Sequence, residues 1–264
     1  MSLPTLFLSH GSPMLALTDT PAHRFLREFA SRIARPRAVL VVSAHFETGQ
    51  PTVVSDPKPE MIYDFRGFPR PLYEIDYPAP GDAVVAAEIA EHLRAAGLPV
   101  DIAPKRGFDH GTWIPLSLVW PEADLPLVQL SIQPHRDAAY HYALGRALAA
   151  LRELDVLVIG TGAATHNLRV LFGNPAGMPA VDAAPVDWAR EFADWIAGKA
   201  AAGDTASLID YRARAPHAGM AHPEEDHFLP FFVALGAAGE GARGERIHNS
   251  YEYSALSMDM YRFD

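Results

Sequence analysis

Residues 38–45 read AVLVVSAH, a short unbroken apolar run that ends on a serine and a histidine. Apolar residues on every position suit a strand covered on both faces, as at the centre of a helix-flanked sheet. Three further segments share the pattern: Thr5–Leu8, Pro126–Ile132 and Val156–Ile159. Between these expected strands lie helical patterns at Asp82–Ala96, Arg136–Leu151, Pro185–Ala202 and Asp226–Ala238. The first has an acidic cap and Gly97 placed to stop it, and in the last Pro230 falls in the first turn, where proline is tolerated. Strands alternating with helices, without a Pro/Ser-rich linker, predict one α/β domain over residues 1–264. Its central sheet is expected to be mixed and mostly parallel, with helices on both sides.

Two stretches resist this pattern. Thr48–Gly81 is rich in proline and aromatic residues, and a loop so long in a compact domain is usually functional. Tyr63, Phe65, Phe68 and Tyr73 are candidates for an aromatic pocket wall, and Arg66 or Arg70 for meeting a substrate carboxylate. Gly173–Ala184 is the second irregular segment.

Bulk composition narrows the classes. The 264 residues carry a formal charge of −10, which argues against a phosphate-backbone binder and leaves small ligands open. The absence of cysteine excludes disulfides, thiolate metal sites and cysteine nucleophiles, and is natural for a reducing cytoplasm. The short apolar run before His10 lacks a basic lead and reads as a first strand, not a signal peptide. No apolar stretch approaches the roughly 20 residues of a membrane span. A cytoplasmic protein that binds neither nucleic acid nor membrane is expected, with its oligomeric state open.

The chemistry concentrates in the twelve histidines. LFLSH ends at His10, VLVVSAH ends at His45, and VLVIGTGAATH brings His166 just past a third strand. Ligands of open α/β sheets bind beyond the carboxyl ends of the strands, so these three histidines should share a pocket there. A single histidine after a strand is more often a hydrogen-bonded structural residue, but three at one sheet edge are a constellation. Gly11 after His10 lets the backbone turn sharply beside a ligand. AHPEEDHFLP at 221–230 is dense in possible ligands; Glu224 and Glu225 suit a helix start, which leaves Asp226 and His227 for inward roles. His227 is expected inside the first turn of the last helix. FDHGTW at 108–113 places His110 in an irregular polar stretch among aromatics, as in a pocket wall. His23, His92, His135, His141, His217 and His248 are assigned to surface or structural roles.

SHGSP at 9–13, SAHFE at 43–47, YDFRGFP at 63–69, YPAPG at 77–81, GFDHGTW at 107–113, QLSI at 129–132, THNLR at 165–169 and HPEEDHFLP at 222–230 follow one another in a specific order. In that order the chain resembles the LigB-type extradiol ring-cleavage dioxygenases, in particular their DOPA-4,5-dioxygenase-like branch. The resemblance implies that His10, His45 and His227 hold one mononuclear divalent metal. It implies that His166 is the acid–base catalyst, or a further metal contact where zinc is bound, and that His110 lies near substrate and oxygen. Asp226 departs from the pattern, since relatives usually carry glutamate there, and its side chain reaches less far.

The implied reaction is ring opening of an aromatic diol by O2 to a semialdehyde, with Fe(II) the active metal. A set of three histidines also suits Zn(II), which has no redox chemistry. Two other readings use the same residues: a zinc-dependent hydrolase, and a binding module that has lost catalysis.

Overall fold

The computed structural model describes residues 2–264 apart from positions 174 and 176, which fall within the irregular segment Gly173–Ala184. The four expected strands form, as β1 (Thr5–Ser9), β2 (Ala38–Glu47), β5 (Leu127–Ile132) and β6 (Val156–Gly162). They stand side by side in the order β5-β2-β6-β1 and run parallel. Short strands extend the sheet on both sides. β3 (Thr52–Val54) and β4 (Asp101–Ala103) lie beyond β5; β10 (Met260–Phe263) and β7 (Gly244–His248) lie beyond β1. Pairing of β3 with β5, and of β10 with its two neighbours, is antiparallel, so the sheet is mixed around a parallel centre. A separate two-stranded ribbon joins β8 (Tyr251–Glu252) to β9 (Leu256–Ser257).

Alternation within the strands builds two cores. Leu6 and Leu8, with Val39 and Val41, pack towards α1 (Pro21–Phe29) and α3 (His110–Val119). Leu40 and Val42, with Val128 and Leu130, face α2 (Ala83–Ala95), α4 (Ala138–Ala147) and the last helix. Phe7 points to that same side, into an aromatic cluster with Phe192 of α6 (Asp187–Ala202) and with Phe231. Helices on both faces explain why the central strands lack a polar side. The short α5 (Leu168–Phe172), α7 (Thr205–Ile209), α8 (Tyr211–Arg214) and α9 (Ala218–Ala221) complete the surface before α10 (Leu229–Ala237).

Four expectations change in detail. The helix expected over Arg136–Leu151 ends at Ala147 and continues as a 3₁₀ segment, Ala149–Leu154. The Thr48–Gly81 stretch is not structureless, because the β-branched Thr52–Val54 pairs at the sheet edge and Arg70–Glu74 forms a 3₁₀ turn. His110 does not lie in irregular chain: it opens α3, capped by Asp109, whose carboxylate accepts from the backbone N–H of Thr112 at 3.2 Å. Finally, α10 starts at Leu229 with Pro230 in its first turn, so His227 precedes the helix. The His227 carbonyl accepts from the N–H of Ala163, at the end of β6, and this bond draws the turn onto the sheet edge.

Candidate metal centre

The carboxyl ends of the parallel strands deliver the expected histidines to one place. His10 directly follows β1, His45 stands in the last turn-out of β2 after its pairing register shifts, and His166 lies four residues past β6. The turn after His10 needs a glycine: Gly11 has φ +55, and a Cβ there would meet the Met258 side chain at 2.7 Å. Gly111 in the first turn of α3 is equally constrained. Its Cβ would come within 2.7 Å of Ser43 Oγ and 2.9 Å of the His45 ring, so α3 can press His110 against the cluster only with glycine there.

Five imidazoles touch in sequence. Ring centroids are 4.9 Å apart for His10 and His45, 4.8 Å for His45 and His227, and 4.0 Å for His45 and His110. His166 stacks on His227 at 3.5 Å. One nitrogen from each of His10, His45 and His227 lies within 4.8 Å of the other two, a separation that one ion can bridge. Nε2 of His10 and Nε2 of His45 face each other at 3.0 Å. Two imidazole lone pairs so placed repel unless a proton or a cation lies between them. Burial, and then the neighbouring rings, hold His10 and His227 well below the ordinary histidine pKa; the same causes bring His45 down to about 4. The cluster therefore disfavours protons and presents neutral nitrogens, the form that binds metals. These residues fit a divalent ion.

Carboxylates behind the rings set their orientation. Nδ1 of His227 donates to Asp226 Oδ2 at 2.6 Å, which leaves Nε2 for the cluster. The aspartate is thus long enough to orient His227. Asp64 Oδ1 accepts from both the backbone N–H (3.0 Å) and Nδ1 (2.9 Å) of His110. Despite partial burial, those bonds hold the Asp64 carboxyl low, at about 2. Beneath the cluster, the buried Asp109 accepts from Ser43 of β2 at 2.6 Å, from Gln129 of β5 at 3.0 Å and from Arg106 at 3.0 Å. Sequence reasoning missed Asp64 and Asp109, which act across long sequence separations.

A cavity of about 310 Å³ opens in front of the rings, within the range of small-molecule sites. His45, His110, His166 and His227 line it, with Phe65, Phe68, Leu168, Leu171 and Phe172 among its apolar walls. Of the proposed aromatic wall, only Phe65 and Phe68 reach the cavity. Tyr63 and Tyr73 pack behind Phe65, the Tyr63 hydroxyl donating to the Ile75 carbonyl at 2.7 Å. Arg66 lines the cavity; Arg70 is paired on the surface with Glu74 at 2.6 Å. His141 and His222 are buried outside this constellation, each hydrogen-bonded to a backbone carbonyl. His248 stacks on Phe25 with centroids 4.8 Å apart. Among the described residues, no helix is long and apolar enough to cross a membrane.

Comparison with known proteins agrees with this geometry. Residues 4–264 match the family described as the catalytic LigB subunit of aromatic ring-opening dioxygenase. A 4,5-DOPA dioxygenase extradiol from Beta vulgaris is 43% identical over 263 residues, covering 98% of this chain and 96% of that protein. The corresponding Escherichia coli K12 protein is 37% identical over 241 residues, 89% of this chain and 85% of its own. The crystal structure of an uncharacterized protein of Escherichia coli K12 superposes with a TM-score of 0.81 at 32% identity, covering 98% of this chain and 99% of that one. The chain belongs to the LigB family of aromatic ring-opening dioxygenases.

Proposed function

We propose that the protein is a metal-dependent extradiol dioxygenase that opens the ring of a catechol-type diol, DOPA-like in outline, with O2 to give a semialdehyde. The observation that carries this reading is the convergence of His10, His45 and His227 on one point, with His110 and His166 facing the same cavity. His10, His45 and His227 are assigned as the ligands of one Fe(II) ion; Zn(II) fits the same nitrogens. Bound there, Fe(II) supplies open coordination positions for a chelating diol and O2 and the redox chemistry that zinc lacks.

The chain's own groups do the rest. Phe65 and Phe68 present apolar surface to the flat ring and keep water from it. His166 takes a proton from a catechol hydroxyl on a ring nitrogen and returns it at ring opening, since burial keeps it below its ordinary pKa and therefore neutral. The negative charge of Asp226 opposes that effect and stabilises the imidazolium that forms. His110, its Nδ1 held by Asp64, keeps Nε2 for hydrogen bonding to charge that develops on oxygen.

The test is an aerobic assay of the iron-reconstituted protein with a panel of catechols. Consumption of O2 with a yellow ring-opened product is expected. No O2 uptake with any catechol, at full metal loading, would contradict the reading.

A further inference from the structure

Among the described residues Arg66 is the one arginine or lysine that lines the cavity, and it follows Phe65, whose ring meets His110 edge-on at 5.6 Å. Among the described residues it has no ion pair or hydrogen bond, whereas its neighbour Arg70 is engaged by Glu74. On a chain of net charge −10 an unpaired guanidinium at a cavity wall is a site for an anionic ligand group. The same cavity has apolar wall residues in Phe68, Leu168, Leu171, Phe172 and Met178, with hydroxyl-bearing Ser12 and Tyr253 also in its lining. None of the described residues lining the cavity is an aspartate or glutamate. The carboxylates just behind the rings are occupied, Asp64 by His110 and Asp226 by His227.

From this pattern we infer that Arg66 is a specificity-determining residue, and that it selects catechols that keep the DOPA-like carboxylate side chain but lack its ammonium group. The inference rests on the diol being held at the histidine cluster, as in the proposed function. Arg66 then meets the carboxylate by a charge-assisted pair, and the apolar walls cover the linking methylenes. An α-ammonium group meets no carboxylate among the described lining residues and loses water when it enters, which weakens binding of an amino-acid catechol.

Three ligands separate the contributions: 3-(3,4-dihydroxyphenyl)propionate, DOPA, which adds only the ammonium group, and 4-ethylcatechol, which lacks the carboxylate. Their dissociation constants are measured on the zinc-loaded protein, which does not turn them over, for wild type, Arg66→Ala and Arg66→Lys. The propionate should bind about tenfold tighter than 4-ethylcatechol, the size of a charge-assisted hydrogen bond discounted for exposure. It should also bind tighter than DOPA. In Arg66→Ala the propionate-to-ethylcatechol ratio should collapse towards one, and Arg66→Lys should restore part of it. An unchanged ratio in Arg66→Ala overturns the role of Arg66, equal binding of propionate and DOPA overturns the selection against an ammonium group, and either leaves the ring-opening reading standing. Failure of all three to bind overturns both.

Discussion

His141 and His10 are both buried and both kept neutral by burial, yet their ring nitrogens meet different things. At the start of α4, His141 donates from Nδ1 to the Asp137 carbonyl at 2.8 Å and accepts at Nε2 from the Gln133 N–H at 3.1 Å. Backbone satisfies it completely. At the end of β1, His10 turns Nε2 to another imidazole at 3.0 Å, and its Nδ1 has no partner among the described residues. A buried polar group left without a partner costs stability, so a protein keeps such an arrangement where a ligand completes it. Burial alone does not mark a functional histidine; the identity of its partners does.

The contrast breaks most visibly under substitution. His45→Ala or His227→Ala should lower ring-opening activity by about a thousandfold or more through loss of a metal ligand, with the fold retained in circular dichroism. His141→Ala should do the reverse, costing about 1–3 kcal/mol in urea unfolding by stranding the Gln133 N–H, with activity per folded molecule retained. His166→Ala lies between: metal content should persist while kcat falls about a hundredfold or more, the usual worth of a positioned acid–base group. Equal loss of metal in His166→Ala would make it a ligand and remove the distinction.

Acid probes the buried and half-buried histidines outside the cluster next. His141 and His248 are held at about 4 and His222 at about 3, each chiefly by burial, against an ordinary value of 6.5. Below 6.5 the unfolded chain therefore binds protons that the folded one refuses, and stability falls as pH drops towards 4. Between pH 6.5 and 5 His141 and His222 should each remove about 1.5 kcal/mol and the more exposed His248 less, read by urea unfolding across the pH series. A flat profile over that window would contradict the assigned neutral states.

The smallest effect concerns orientation. Asp226→Asn removes the charge behind His227 but keeps an oxygen near its Nδ1, and metal affinity should weaken about tenfold, as when an outer partner of a ligating histidine is changed. Unchanged affinity would mean that the turn before α10, not Asp226, positions the ring.

The parallel centre of the fold was legible in the sequence because AVLVVS and its three counterparts are apolar on both faces, and the position of His10 and His45 followed from that. The edge strands β3, β4, β7 and β10 were not legible. They are short, or mix exposed and buried residues, and their pairing depends on partners far along the chain. α3 escaped for a related reason. Buried on almost every side and interrupted by Pro115, it offers no amphipathic period, and only Asp109 marks its start. Asp64 reaches His110 across 46 residues, a distance over which no local spacing speaks. His227 was found as a residue but expected inside a helix from Asp226, whereas the helix begins three residues later, at Leu229, and the His227 carbonyl bonds the Ala163 N–H instead.

The central claim is that unsatisfied imidazoles at the strand ends hold one metal ion. Anaerobic titration of metal-free protein with Fe(II) tests it directly. The account predicts one ion per chain in wild type and in His141→Ala, and none bound tightly in His10→Ala, His45→Ala or His227→Ala. Full stoichiometry in those three variants would contradict it.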